Sequence, residues 1–180
     1  MKSYTFILIF LILSSSTAIC QTKEYLTLTK EITKVIEPRT PYIILAEPAE
    51  WESYCLEELM REKDYSIKLT PDEITLLENE IKKSSTLNWS KNFFKSAKFV
   101  ELKTIQEIFS DKSKDWKYFK QNIGDGYYRF SQPIFYRNNT FCLIYSDYVS
   151  GGMPEKEGLT MYKKENGKWV VWTYYCSHLN

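Results

Sequence analysis

The amino-acid sequence predicts an α+β fold, with N-terminal helices packed on a C-terminal antiparallel sheet of four to five strands. Three observations carry this. Apolar residues recur at helical spacing in the first half, as in Trp51, Cys55 and Leu59, or Ile74, Leu77 and Ile81. From Tyr127 onward the chain changes to short strand-like runs separated by turn residues. Near the C-terminus, Asn166-Gly167 stands between two such runs, the strongest short hairpin signal a sequence offers. Helices followed by strands, without βαβ alternation, place the helices on one face of the sheet.

The first residues read as a secretory signal. Lys2 supplies the positive start, Phe6 to Leu13 is an unbroken apolar run, and Ser14 to Ala18 are small and polar. The run falls short of the roughly 20 apolar residues that span a bilayer. Residues 1–20 are thus expected to be removed, with Ala18 and Cys20 favouring a cut before Gln21, and Ser16 and Ala18 allowing one before Ile19. A lipid anchor on Cys20 is the alternative, which the bulky Ile19 disfavours. The expected location is periplasmic or extracellular, and residues 21–180 are expected to form a single domain.

Residues 21–47 carry conflicting signals. Leu28, Ile32, Val35 and Ile36 have helical spacing, whereas Leu26 and Leu28 alternate like a strand; Pro38 and Pro41 end that segment, and Tyr42 to Leu45 reads as a short strand. Pro48 to Arg61 is expected to be helical, with Trp51, Cys55 and Leu59 as its core stripe. Thr70-Pro71-Asp72-Glu73 predicts a capped helix start, with the helix running to about Lys83. Ser84 to Asn88 is loop-like, and Lys98 to Leu102 reads as a strand. Thr104 with Glu107 suggests a second capping box, Trp116 and Phe119 a short helical turn, and Gly124-Asp125-Gly126 a tight turn.

Strands are then expected at Tyr127–Ser131, Pro133–Tyr136, Phe141–Val149, Leu159–Lys163 and Lys168–Cys176, with a loop over Ser150–Gly158. A two-residue turn pairs Glu165 with Lys168, Lys163 with Val170 and Met161 with Trp172. On that register Leu159, Met161, Val170, Trp172, Tyr174 and Cys176 share the core face.

Composition narrows the function. Once Lys2 is removed, 23 basic side chains balance 23 acidic ones, and no basic stripe exists for nucleic acid. A single His and no paired cysteines at ligand spacing give no metal site, and no cofactor motif is present. Cys55, Cys142 and Cys176 remain after cleavage, an odd number that permits at most one disulfide. Cys142 and Cys176 fall on strands flanking a third, about 10 Å apart and too far to bridge. Cys55 could reach either across the core, and buried reduced thiols are expected.

Aromatic residues make up 16% of the chain, and 14 residues are Tyr. Half-buried strands account for most of them, and a sticky face for sugar or peptide is the sharper alternative. The residues singled out for binding are Tyr145, Asp147, Tyr148, Ser150, Gly151 and Gly152, where a long strand meets a Gly-rich loop. A plain surface Asp at a strand end and a plain glycine turn are the competing readings. No catalytic set is assigned. Cys176 and His178 lie two apart on one strand, roughly 7 Å, beyond hydrogen-bond reach. The expectation is a non-enzymatic domain that binds a protein, peptide or envelope component. The alternatives are a hydrolase-like site near Asp147, Ser150 and His178, and a structural or inhibitor-like envelope protein. Oligomeric state is left open.

The order Phe130-Ser131-Gln132-Pro133-Ile134-Phe135, strand Phe141–Val149, Gly151-Gly152, Gly158–Tyr162 and Asn166-Gly167-Lys168-Trp169 resembles small exported proteins of unknown function from Gram-negative bacteria. The Leu69–Ile81 helix and Trp89 are similar to that group too, so the resemblance covers residues 67–177. It implies an exported α+β domain and no particular activity. Members often carry cysteines in the Gly-rich loop; Val149 to Pro154 has none.

Overall fold

The computed structural model describes residues 23–34, 36, 42–63, 67–84 and 88–179, with residues 84, 153, 155, 156, 178 and 179 described by backbone alone. The expected signal segment, its cleavage sites and Cys20 lie outside the described residues, as do Val35, Pro38, Pro41 and the centre of the Ser84–Asn88 loop.

The described residues form five helices and seven strands. Residues 23–34 make α1, followed by β1 (Ile43–Leu45), α2 (Ser53–Met60), α3 (Pro71–Ser84) and β2 (Lys98–Val100). Then come α4 (Leu102–Ser110), α5 (Trp116–Asn122), β3 (Tyr127–Phe130) and β4 (Ile134–Tyr136). The chain closes with β5 (Phe141–Ser150), β6 (Met153–Glu165) and β7 (Lys168–Leu179). The sheet runs β2-β1-β3-β5-β6-β7, and β4 pairs with β5 beside that path.

The α+β class holds, and the expected four- to five-stranded antiparallel sheet is corrected. β1 pairs in parallel with both β2 and β3, so the sheet is mixed and has seven strands. Long helical connections separate β1, β2 and β3, which is what parallel neighbours require. The arrangement of N-terminal helices on one face is corrected as well. α4 and α5 lie between β2 and β3 in the chain, and helices cover both faces.

β5 explains why both faces are covered. Its sequence Phe-Cys-Leu-Ile-Tyr is apolar without alternation, the mark of a strand buried from two sides. Leu143 and Tyr145 join Cys55, Leu59 and Leu77 of α2 and α3 on one face. Cys142 and Ile144 join Leu28 and Ile32 of α1, together with Trp89 and Phe94, on the other. A third cluster binds α4 and α5 to the parallel strands through Ile105, Ile108 and Phe119 against Ile43, Leu45 and Val100.

The helix starts divide by their caps. Thr70 and Glu73 form the expected reciprocal box, Glu73 N–H donating to Thr70 Oγ1 (3.2 Å) and Thr70 N–H to Glu73 Oε2 (2.8 Å). α2 starts at Ser53 rather than Pro48, because Ala49 N–H donates to the Phe130 carbonyl (2.9 Å) and keeps the lead-in extended. α4 starts at Leu102, ahead of Thr104; Glu47 Oε2 accepts the Leu102 N–H (2.8 Å) from a distant part of the chain.

The terminal hairpin turns at Asn166 (φ 50°) and Gly167 (φ 77°), as its sequence predicts, and Glu165–Lys168 and Lys163–Val170 pair as expected. Beyond them the register changes. Tyr162 pairs with Val171 and Met161 with Thr173, leaving Trp172 as an extra residue in β7. The expected core face is therefore corrected: Val170, Trp172 and Tyr174 are exposed, whereas Trp169 and Tyr175 are buried with Leu159, Met161 and Cys176. The expected Ser150–Gly158 loop is also corrected. It is a two-residue turn at Gly151-Gly152, and β6 begins at Met153.

Cys55 and Cys176 are joined in a disulfide, with Cα atoms 5.1 Å apart, which corrects the expectation of reduced thiols; Cys142 remains a buried free thiol. β6 does separate the strands bearing Cys142 and Cys176.

Candidate functional site

The sheet divides the residues expected to form one site. Side chains alternate along β5, so Tyr145 and Asp147 face α2 while Ser146 and Tyr148 face away from it.

On the α2 side, Asp147 is 2% exposed, not a surface carboxylate. Arg129, its cross-strand partner on β3, donates from Nε to Oδ1 (2.7 Å) and from a terminal nitrogen to Oδ2. Glu157 pairs with Asp147 across β5 and β6, and its carboxylate accepts from Tyr54 Oη (2.8 Å) and Tyr145 Oη (3.4 Å). Burial pushes the Asp147 carboxyl above its ordinary value, and the Arg129 hydrogen bonds and charge oppose that. Burial raises Tyr54 to about 12, helped by its bond to Glu157, and raises Tyr145. The cluster satisfies its own hydrogen bonds, and its chemistry is that of a buried staple between β3, β5, β6 and α2.

The rest of the expected hydrolase-like set is spread along this region. The His178 backbone pairs with Glu157, which puts it two strands, about 10 Å, from Asp147. Ser150 is at the far end of β5 opposite Met153. Gly151 and Gly152 make the β5–β6 turn at positive φ, 60° and 93°. A Cβ on Gly152 would come within 2.8 Å of Trp116 Nε1, so this glycine admits the α5 tryptophan.

The opposite face carries a groove of about 130 Å³. Its walls are the rings of Tyr128, Tyr148 and Tyr174, and Ile144 and Tyr162 lie deeper. Ser146, Thr160 and Ser177 contribute hydroxyl-bearing side chains, and Ile32 of α1 and the helical Ile36 close one side. Tyr128 and Tyr148 pack with centroids 4.7 Å apart, and Tyr174 stands 59% exposed at the β7 side. The space suits one aromatic ring, which needs on the order of 100–150 Å³.

Of the expected binding residues, Tyr148 lies in this groove. Asp147 and its cross-strand partner Glu157 also line it, while bonded to Arg129 and Tyr54, and Tyr145, Ser150, Gly151 and Gly152 are elsewhere. Tyr128, Ser146, Thr160, Tyr174 and Ser177 were missed. Alternation along β5 separates Tyr148 from Tyr145 and Asp147, and that signal was present in the sequence.

Among the described residues, no group of three or more His, Cys, Asp or Glu could hold a metal ion, and no helix is long and apolar enough to cross a membrane. No family model matches the chain, and no curated protein or solved structure does.

Proposed function

We propose that the chain is an exported, non-enzymatic binding domain whose tyrosine groove receives an aromatic or apolar side chain of a protein, peptide or envelope component. The observation that carries this is the groove: three tyrosine rings around a ring-sized space, with hydroxyl-bearing side chains among its walls. Tyrosine supplies large, rigid contact area with few rotamers to lose, which suits recognition. The arrangement of carboxylates supports binding over hydrolysis, because Asp147 is engaged on both oxygens by Arg129.

Periplasmic or extracellular location is part of the same proposal. The signal-like N-terminus supports it, and so does the Cys55–Cys176 disulfide, since disulfides persist in oxidising compartments. The resemblance to small exported Gram-negative proteins points the same way.

Panning a displayed peptide library against residues 21–180 tests the proposal, with Tyr148→Ala/Tyr174→Ala as the counter-screen. The expected result is enrichment of peptides with one shared aromatic residue that bind the variant at least about tenfold more weakly, roughly 1.4 kcal/mol. Equal binding to both proteins, or no enrichment, would leave a structural or inhibitor-like role as the better reading.

A further inference from the structure

We propose that the Cys55–Cys176 disulfide completes the tyrosine groove by holding a bulge in β7, so that the site forms only in the oxidised protein. The inference rests on the groove being the binding surface. Leu159 pairs with Tyr175 and Glu157 with His178, so Cys176 and Ser177 together oppose the single residue Gly158. The extra residue re-aims the side chains beyond it. Tyr174 and Ser177 both line the groove although they are three apart, a spacing that would put them on opposite faces of a regular strand. The bulge is what brings them to one side.

That bulge needs an anchor. Cys176 has φ 47°, a left-handed conformation that is costly for a residue with a Cβ. Its side chain is tied to Cys55 on α2, and its N–H donates to Glu58 Oε2 (2.9 Å) one turn further along the same helix. Tyr175 Oη donates to Glu62 Oε2 (3.0 Å), just past that helix. Gly158 accommodates the distortion: a Cβ there would stand 3.1 Å from Ser177 Cα and 3.2 Å from the Tyr175 carbonyl. Without the crosslink, Cys176 relaxes toward extended backbone, the strand beyond it slips by one residue, and Ser177 turns to the α2 face.

The covalent step is a dithiol exchange. A dithiol reductant gives two electrons and two protons to the S–S bond, closes to its own disulfide, and leaves Cys55 and Cys176 as thiols. Oxidation during folding is the reverse.

Two variants separate the crosslink from the backbone it holds. In Cys55→Ala/Cys176→Gly the disulfide is gone but glycine takes positive φ freely; in Cys55→Ala/Cys176→Ala it does not. With indole as the probe, the Gly variant should bind within about threefold of the oxidised parent and the Ala variant at least about tenfold more weakly. Amide exchange at residues 176–178 should accelerate by at least about tenfold in the Ala variant alone. Equal indole binding and equal exchange in the two variants would overturn the proposal, as would global unfolding of both, which would make the crosslink a staple of the whole fold. If indole fails to bind the parent, the groove reading falls, and the exchange comparison still decides the clamp.

Discussion

Arg129 and Asp147 face each other across β3 and β5, and the guanidinium holds both oxygens of a carboxylate that is almost fully withdrawn from water. The pair lies between two apolar clusters of the same sheet face, two residues from Tyr145 in one and two from Val149 in the other. Removing one charge strands the other. Asp147→Ala should cost about 2–4 kcal/mol in urea unfolding, below the top of the range for buried pairs because a third of the Arg129 side chain is exposed. Replacing both, as Arg129→Met/Asp147→Leu, should restore most of that. A double variant no better than Asp147→Ala would contradict the pairing.

A second ion pair sets an acid-side limit on stability. Arg137 Nε donates to Glu73 Oε1 (2.6 Å), joining the first turn of α3 to the β4–β5 turn. Arg137 hydrogen bonding is the main cause that holds the Glu73 carboxyl below its ordinary value. Its stabilisation is therefore complete above the unfolded carboxylate pKa, about 4.3, and is lost as pH falls through the lower folded value. The stability gap between parent and Glu73→Gln should be widest at neutral pH and close on acidification below about pH 4. A gap that widens in acid would contradict the assignment.

Asp147 has the opposite sign. Its folded carboxyl is raised, so its contribution is fully present below the unfolded pKa and is lost as pH rises through the folded one. Asp147→Asn should flatten the decline of stability with rising pH in the weakly acidic range, measured by urea midpoints at successive pH values. A steeper decline in the variant would overturn the sign.

The hairpin turn carries a backbone prediction. Gly167 sits at φ 77° with open space around its missing Cβ, so Gly167→Val meets no neighbour and suffers only from its conformation. The expected cost is about 1–3 kcal/mol. An unchanged urea midpoint would mean that the turn is wrongly placed.

These turns and helices were legible because their signals are local. Thr70 to Glu73 bond each other, and Asn166-Gly167 bends the chain where it stands. The mixed sheet was harder to read, because Ile43–Leu45 and Lys98–Val100 show strand character without any sign of where they pair. The bulges at Trp172 and Cys176 are invisible to a period-two pattern, which therefore puts Val170, Trp172 and Tyr174 on the core face although all three are exposed. The groove was half visible. Tyr148 stood out, but Tyr128, Thr160, Tyr174 and Ser177 come from three other strands that only the register brings together.

Cys142 lies fully buried among Ile144, Phe130 and Tyr162, and burial pushes its thiol well above the ordinary range. The thiolate that reacts with alkylating agents is therefore suppressed in the folded protein. Iodoacetamide should label Cys142 only in denaturant, as read by intact mass. Labelling of the native protein at the rate of a free peptide thiol would contradict its position.

If the tyrosine face is the binding surface, an NMR titration of the oxidised, isotope-labelled protein with indole maps it residue by residue. Saturable shifts are expected at the amides of Tyr128, Ser146, Tyr148, Thr160 and Tyr174, with none at Cys55 or Leu77 across the sheet or at Phe119 on α5. Shifts confined to Val170 and Trp172, or to α4 and α5, would contradict it.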